Sequence, residues 1–408
     1  MSKVSKILVL SLSAVLVLFT FIGSQRVKAS TDDDGAYAQM KVYSEVLSRI
    51  RSEYVEDPNI PAVTSGALHG LLESLDPDSS YLSPAEYKTY RQRQGTEKAS
   101  IGAAVSKRFG YADVVAVLPD GPAAKAGVES GDILEAIGNK STREMSLAEI
   151  ESDLAGDPGS LVNVMIVRIG KPDPIKASIT RAPESIPSVN DKMMDDGVGY
   201  IQTEALSKGK AQEIAAKVKA LEKQGAKKIL LDLRDVAIGD EQEGIETANL
   251  FLNHGIITYL EGQKFAKQTF VADPTKTITS LPVAVLVNRG TSGAAEVVAA
   301  AIMENARGDV LGDKTFGEGA VQKVFEIQDG SALILSVAKY YTPGGKAIQD
   351  EAITPNIMVA STNNDDDDGD GAEPPQQKQQ NDDQLKRALE VLKTRQSSSA
   401  TQQVPITK

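Results

Sequence analysis

The segment Leu281–Asn288 (LPVAVLVN) has the continuous apolar character of a buried strand, and an alanine-rich helix follows it at Ala294–Met303. A second buried strand is predicted at Lys228–Leu233 (KILLDL), after a helix at Lys210–Gln224 whose apolar residues recur on one face. Alternation of strands and helices is typical of layered α/β domains. The sequence therefore predicts an α/β (α+β) fold with a layered sheet-and-helix core over residues 187–360.

Residues 98–182, which precede this core, have a different pattern of short alternating strands and glycine turns. Strands are predicted at Val114–Leu118 and Val162–Val167, with a short helix at Ser146–Leu154 between them. Alternation of apolar and polar residues over a few positions is typical of half-buried strands. We therefore expect a second, smaller domain here.

Helices are predicted on either side of these two domains. The N-terminal helical region, residues 35–97, contains apolar residues at helical spacing in Met40–Tyr54 and in Ser65–Leu75. Near the other end, Asp383–Thr394 is predicted to be a charged amphipathic helix, so residues 384–408 form a C-terminal helix and a polar tail.

The N-terminus has the composition of an export segment. Lys3 and Lys6 precede the uncharged stretch Ile7–Gly23, and Arg26 follows it. This pattern indicates that residues 1–29 are either a cleaved signal peptide or a membrane anchor, and both interpretations stay open. In either case we expect export to the cell envelope or periplasm, and in the second case residues 7–23 anchor the chain in the inner membrane.

Residues 361–383 are predicted to be an acidic, disordered linker. They carry eight acidic residues and one lysine, which is seven of the 12 net negative charges of the chain. Asp366, Asp368 and Asp370 imitate the start of a calcium loop, but the twelfth position is Gln377 where a glutamate is needed. We therefore predict no metal site.

Composition excludes several kinds of chemistry. The 408 residues include no cysteine, so disulfides, thiolate metal sites and cysteine nucleophiles are absent. The two histidines, His69 and His254, are too few for a multi-histidine zinc site, and a Ser-His-Asp triad has to use one of them. A net charge of −12 argues against nucleic acid as a partner. No cofactor is predicted.

Three segments, in this order along the chain, resemble the carboxy-terminal processing (tail-specific) serine peptidase family. They are Gly66–Tyr87 with its LDPDSSYL run, Pro122–Gly127 (PAAKAG) followed by Ser130-Gly131-Asp132, and Thr315–Gly317 with Gln322, Asp329–Leu333 and Tyr340–Pro343. The resemblance implies an N-terminal helical segment, an inserted PDZ domain and a protease core.

The resemblance also implies a serine–lysine dyad. In the family, the nucleophilic serine begins a helix in a Ser-Ala-Ser-Ala-Ser/Ala-Glu segment, and a neutral lysine in Thr-Phe-Gly-Lys-Gly is the general base. A glutamine four residues after the lysine positions it. Burial lowers the pKa of such a lysine, so that it can accept the serine proton near neutral pH.

This sequence departs from the family at the catalytic positions. Gly293 stands at the serine position and Glu318 at the lysine position, while Gln322 is retained. In the turn that supplies oxyanion-binding backbone groups, one glycine of a pair is Ile238 and the other is Gly239. A Cβ at residue 238 makes a glycine-type backbone harder to adopt. The resemblance therefore implies a degenerate catalytic centre.

Neighbouring residues offer poor substitutes. Ser292 is the alternative nucleophile, but one residue at a helix start turns a side chain by about 100°. Lys314 is four residues before the base position, and Lys323 points to the opposite face if it lies on a strand. Glu318 is the remaining base for Ser292, and we expect Ser292 to be a helix N-cap instead.

The segments of the PDZ peptide groove keep their pattern. By resemblance, Ser100, Ile101 and Gly102 form the carboxylate-binding loop, and the helix that carries Leu147 and Ile150 forms the opposite wall. Such grooves bind an extended C-terminal peptide as an added strand.

Three functions follow from this combination. The first is an inactive member of the family that binds unstructured C-termini of envelope proteins. The second is an active serine-type endopeptidase that cleaves C-terminal tails with Ser292 as a displaced nucleophile. The third is a structural subunit, in a homo- or hetero-oligomer with an active paralogue. In all three, the expected partners are protein or peptide C-termini and a membrane.

Overall fold

The computed structural model describes residues 33–93, 99–108, 110–360 and 382–394. The chain divides into two units, one up to Ala67 and one from Leu68 onward. The predicted signal or anchor and the calcium-like stretch of the acidic linker lie outside the described residues. Among the described helices, none combines the length and the apolar character that crossing a membrane requires.

The first unit contains helix α1 (Asp33–Glu53) and the beginning of helix α2 (Ile60–Glu73). Both helices begin earlier than their apolar spacing predicts. For α2 the reason is local, because the Asn59 side chain accepts a hydrogen bond from the Ala62 backbone N–H at 3.2 Å. Pro61 stands in the first turn, where its missing N–H costs nothing.

The second unit begins with the rest of α2, followed by a short strand, β1 (Ser80–Leu82), and helix α3 (Pro84–Arg93). The strand lies within the N-terminal helical region of residues 35–97, beyond its two predicted helices, and the sequence does not predict it. All three residues of β1 are buried, which leaves no alternation of apolar and polar residues to mark a strand.

An antiparallel sheet follows, with strand order β3-β4-β5-β7-β8 and with β6 beside β5, while β2 pairs with β9. Strand β3 is therefore an edge strand. Helix α5 (Leu147–Leu154) of the same small domain begins with a capping box. Ser146 Oγ accepts from the Glu149 N–H, and the Glu149 carboxylate accepts from the Ser146 N–H. The elements are β2 (Ala99–Ser100), β3 (Ala103–Arg108), β4 (Tyr111–Val117), α4 (Pro122–Lys125), β5 (Ile133–Ile137), β6 (Lys140–Ser141), a 3-10 turn (Thr142–Glu144), α5 (Leu147–Leu154), β7 (Leu161–Val167), β8 (Ile175–Thr180) and β9 (Ala182–Pro183).

The layered core is built on a six-stranded sheet of order β10-β11-β12-β15-β16-β19, in which all neighbours are parallel except β10 and β11. The elements are β10 (Asn190–Met193), a 3-10 turn (Asp195–Gly197), β11 (Val198–Gln202), α6 (Lys210–Lys223), β12 (Lys228–Asp232), α7 (Glu241–Phe251), β13 (Ile256–Glu261), β14 (Gln268–Val271), β15 (Val283–Val287), α8 (Ala294–Glu304), β16 (Gly308–Gly312), β17 (Ala320–Glu326), β18 (Ala332–Tyr341), β19 (Ile357–Met358) and α9 (Asp383–Thr394).

Helices cover both faces of this sheet. Ile229 and Leu231 of β12 belong to the hydrophobic cluster that contains residues of α6, α7 and α8. Leu230, between them, packs on the other face with Ala388 and Leu392 of α9. This arrangement explains why β15 is apolar at every position and β12 at its three central positions, since a strand buried on both faces shows no alternation.

A second sheet of order β1-β18-β13-β14, with β17 paired to β18, completes the core. The sequence does not predict it. Most positions of β17 are partly or fully exposed, so this strand has no buried face that would give an apolar pattern.

Candidate active site

Gly293, which the family resemblance assigns to the serine position, is the residue before helix α8. Its backbone has φ 58° and ψ −117°, a combination that residues with a Cβ rarely adopt. A Cβ built on Gly293 meets no atom within 4 Å. The nucleophile position therefore has free space above it but no side chain to react.

Ser292, the alternative nucleophile, is held in place by two hydrogen bonds. Its Oγ donates to Glu318 Oε2 at 2.7 Å, and its backbone N–H donates to the Val236 carbonyl at 2.9 Å. The residue is only 2% exposed. The N-cap of α8 is Gly293, so the prediction that Ser292 caps the helix is wrong. Its hydroxyl is instead turned toward the loop that carries the base position.

Glu318 is partly buried in that loop, which follows strand β16. Burial raises the pKa of its carboxyl, while the hydrogen bond from Ser292 and the charge of Arg108 act in the opposite direction. Glu318 is the one base that the sequence leaves for Ser292, 26 residues away along the chain. The structure brings them together as a hydrogen-bonded pair.

Glu296, in the first turn of α8, connects the two loops of the site and was not singled out by the sequence. It is fully buried. Its carboxylate accepts hydrogen bonds from the backbone N–H groups of Gly293 at 3.1 Å, Gly317 at 2.8 Å and Glu318 at 2.8 Å, and also from the Thr315 hydroxyl. Burial raises its pKa to about 7, and these donors act in the opposite direction. A glutamate at the third helical position is a capping signal that could have indicated this role.

Further carboxyl groups surround the site. Burial, and then the charge of Glu318, raise the pKa of Asp78 to about 7. The same two causes raise the pKa of Glu241. Asp78 accepts from Gln349 Nε2 at 3.0 Å, and Gln349 Oε1 accepts from the Gly319 N–H at 2.8 Å. Glu318, at the position that the resemblance assigns to the lysine, therefore lies among other carboxyl groups and raises the pKa of two of them.

The other lysine and glutamine candidates are all exposed to solvent. Gln322 and Lys323 lie on β17 and are exposed. Lys314 is exposed as well. The retained glutamine thus keeps its position in the sequence without a buried lysine to orient.

Ile238 and Gly239 lie in the turn after β12. Ile238 has no positive φ, and its carbonyl accepts the Leu206 N–H at 2.8 Å. A Cβ at Gly239 would lie 2.5 Å from the Leu206 carbonyl oxygen, so glycine is required there by close packing of two backbones. An oxyanion-binding role for this turn stays a prediction.

The predicted peptide-binding residues lie together in the small domain. Ile101 and Ile150 belong to one hydrophobic cluster and are 2% and 0% exposed, and Leu147 is also buried. Ser100 Oγ accepts the Gly102 backbone N–H at 3.1 Å. Gly102 has φ 71°, the left-handed region that favours glycine. The two walls predicted for the groove are edge strand β3 and helix α5.

This groove adjoins the candidate active site. Arg108, at the end of β3, places its guanidinium 3.8 Å from the centre of the Phe316 ring and donates a hydrogen bond to the Phe316 carbonyl. Phe316 lies two residues before Glu318, and its N–H donates to the Thr291 carbonyl at 2.9 Å. In the part of the chain that the structure describes, no group of carboxylates and histidines has the arrangement of a metal site.

Comparison with known proteins agrees with this architecture. The family model for Peptidase family S41 matches residues 197–359, and the model for the PDZ domain matches residues 114–168. The carboxy-terminal processing protease CtpA of Bacillus subtilis is 33% identical over 331 residues, which cover 81% of this chain and 70% of that protein. The carboxy-terminal-processing protease of Bartonella bacilliformis is 30% identical over 335 residues, covering 81% and 77% of the two chains.

A solved structure gives the same result for the fold. The photosystem II D1 C-terminal processing protease superimposes with a TM-score of 0.65 at 26% identity, covering 78% of this chain and 86% of that one. The predicted fold class and family resemblance are therefore confirmed. The chain belongs to peptidase family S41, among the carboxy-terminal processing proteases, and carries a PDZ domain.

Proposed function

We propose that this chain is a catalytically inactive member of its family that binds unstructured protein C-termini through its PDZ domain. The observation that carries the proposal is Gly293, which leaves the nucleophile position without a hydroxyl. A nucleophile has to come within about 3–3.5 Å of the carbonyl carbon that it attacks. Ser292, at 2% exposure and with its hydroxyl donated to Glu318, is not accessible to a substrate in that way.

The base position supports the same conclusion. A neutral lysine amine has a lone pair that accepts the serine proton. The ammonium ion that results then stabilises the oxyanion that develops nearby. Glu318 cannot become a cation, and in its ionised form it adds negative charge beside Asp78 and Glu241. Negative charge at this place opposes the oxyanion that forms when a peptide carbonyl is attacked.

Peptide binding needs none of these groups. A C-terminal peptide that pairs with edge strand β3 uses main-chain hydrogen bonds, and the loop Ser100–Gly102 supplies backbone N–H groups to the terminal carboxylate. If residues 1–29 export the chain as predicted, the partners are C-termini of envelope proteins, and a membrane anchor keeps the protein beside them.

The test is the binding of a labelled, unstructured tail peptide to the full chain in detergent. We expect binding by the peptide with a free C-terminal carboxylate, and affinity lower by about tenfold or more for the amidated peptide, because it lacks the charged acceptor. Ile101→Ala weakens binding. Ile166→Ala, which truncates an equally buried residue of the same cluster on strand β7, is the matched control and retains it. Equal binding of the two peptides, or binding of neither, contradicts the proposal.

The 2.7 Å hydrogen bond between Ser292 and Glu318 favours a second candidate, an endopeptidase with a displaced serine–carboxylate pair. This candidate predicts that the tail peptide is cleaved, that Ser292→Ala abolishes the cleavage, and that the exposed control Ser280→Ala retains it. This second candidate is ruled out if neither the wild type nor the control variant cleaves the peptide. Assembly into a homo- or hetero-oligomer with an active paralogue stays a prediction.

A further inference from the structure

Two side chains one turn apart on helix α2, His69 and Glu73, contact the two walls of the proposed peptide groove. Glu73 Oε1 lies 2.7 Å from Lys107 Nζ on strand β3. His69 Nδ1 lies 3.8 Å from Glu149 Oε2 on helix α5. Residues four apart lie on the same face of a helix. One turn of α2 therefore holds both walls of the groove.

The β3 wall is held by a buried lysine. Lys107 is 4% exposed, and its Nζ also donates to the Met145 carbonyl at 2.7 Å, just before α5 begins. A buried ammonium needs such partners to offset its lost hydration. This contact ties β3 to Glu73 of helix α2 and to the chain that leads into α5.

The α5 wall is held by a histidine, the side chain whose charge changes near physiological pH. His69 Nε2 also lies 3.7 Å from Glu86 Oε2, and its ring meets the Tyr81 ring edge-to-face at 5.5 Å. The contact with the Glu86 carboxylate raises the pKa of His69, and burial lowers it. The negative charges of Glu149 and Glu86 raise this pKa further, and the positive charge of Lys107 lowers it. The net direction is upward. A polar cavity of about 20 Å³ beside it, large enough for one water, is lined in part by Glu144.

We propose that His69 is a latch that holds the peptide groove closed when it is protonated and releases helix α5 when it is neutral. This inference rests on the proposed function, because it describes the regulation of the same groove. A peptide that pairs with β3 needs room for its side chains between β3 and α5. Ile101 and Ile150, which face this space by resemblance, are almost completely buried in the latched arrangement.

The direction of the pH dependence follows from the charges around His69. At low pH the imidazolium is attracted to Glu149 and Glu86, and the contact stabilises the closed groove. As the pH rises through the raised pKa of His69, that stabilisation is lost. We therefore expect the affinity for a C-terminal peptide to increase with pH.

The experiment measures the affinity of the full chain for the free-carboxylate tail peptide at about pH 5.5 and about pH 8. In the wild type we expect affinity to rise by about 3- to 10-fold, the size of one to two partly exposed charge contacts. We expect His69→Gln to remove this dependence of the peptide affinity on pH. Glu149→Gln does so too, since glutamine keeps the capping role at this position but removes the charge. The control His254→Gln, at the exposed second histidine, retains it.

Amide hydrogen exchange of α5 provides a readout that needs no peptide. We expect slower exchange at the lower pH in the wild type, after correction for intrinsic rates, and no such difference in His69→Gln. Exchange that depends on His69 without any peptide binding supports the latch and overturns the proposed function. Peptide binding with the same pH ratio in the wild type and in His69→Gln overturns the latch and leaves the proposed function standing.

Discussion

The candidate active site and the PDZ groove adjoin each other, yet by resemblance they depart from the family pattern to different extents. At the candidate active site, Glu296 holds the loops of Gly293 and Glu318 together through buried hydrogen bonds, while the resemblance implies that both reactive side chains are replaced. In the groove, Ile101 and Ile150 match the family pattern and are also core residues of their domain.

The difference has a physical reason. The serine side chain at the start of α8 would contribute little to packing, since a Cβ at Gly293 meets no atom within 4 Å. Glycine also removes the strain of a side chain at φ 58°. Loss of Ile101 or Ile150, by contrast, would open a cavity in the hydrophobic core. Under the proposed function, catalysis can therefore be lost at this site without loss of the fold, whereas peptide binding and stability would depend on the same residues.

The largest expected effect comes from restoring the dyad with Gly293→Ser and Glu318→Lys together. Free space at residue 293 accommodates the hydroxyl, and the buried position lowers the pKa of the new lysine, so we expect tail cleavage at least about 10³-fold above the wild type. Serine at this φ should lower the free energy of unfolding by about 1–3 kcal/mol. Cleavage is measured on the labelled tail peptide.

Each single substitution is the control for this pair and should remain inactive, because a nucleophile and a base act as a unit. A folded double variant without cleavage would contradict the view that only two side chains were lost. Adding Ile238→Gly then tests whether the oxyanion turn was lost with them.

The next largest effect concerns the stability that the hydrogen bonds of Glu296 give to the two loops of the site. Glu296→Ala leaves three backbone N–H groups without their buried acceptor, and we expect the free energy of unfolding to fall by about 3–5 kcal/mol. Glu296→Gln, which keeps one acceptor oxygen, should lose less. Urea denaturation measures both. Unchanged stability of Glu296→Ala would show that the framework does not depend on this carboxylate.

A smaller effect appears in the pH dependence of stability. Burial raises the pKa of Asp78 to about 7, so the folded state binds a proton that the unfolded state has already released. The stability that this proton provides is present below the unfolded pKa and is lost as the pH rises toward about 7. The Asp78 side chain is partly exposed, which reduces this effect. In denaturant series at several pH values, we therefore expect the free energy of unfolding of Asp78→Asn to fall by about 1–2 kcal/mol less than that of the wild type over this pH range.

The matched control is Asp173→Asn, which changes an exposed aspartate and should leave the pH profile as it is in the wild type. Identical profiles for Asp78→Asn and the wild type would mean that the acidic surroundings of Glu318 do not raise the pKa of Asp78.

Much of the fold could be predicted because its strongest signals are local. The continuous apolar runs of β12 and β15 and the capped helix α5 follow from residue pattern alone. Strand β1 is too short and β17 too exposed to give such a pattern. Their pairing with β18 depends on residues more than 200 positions apart in the case of β1, which no local window contains.

The candidate site could be predicted only in part, for the same reason. The replaced positions Gly293 and Glu318 are visible by resemblance to the family. The hydrogen bond between Ser292 and Glu318, and the hydrogen bonds that Glu296 accepts, arise when two loops meet in space. The contact between His69 and Glu149 likewise joins two elements that are far apart in the sequence.

The most direct test of the central claim is intact-mass spectrometry of the full chain after incubation with a serine-reactive phosphonate probe. The double variant Gly293→Ser, Glu318→Lys serves as the positive control. We expect an adduct on that variant and none on the wild type, because Gly293 has no hydroxyl and Ser292 is 2% exposed. An adduct on the wild type that Ser292→Ala abolishes would contradict the claim, and it would show a working active site displaced by one residue.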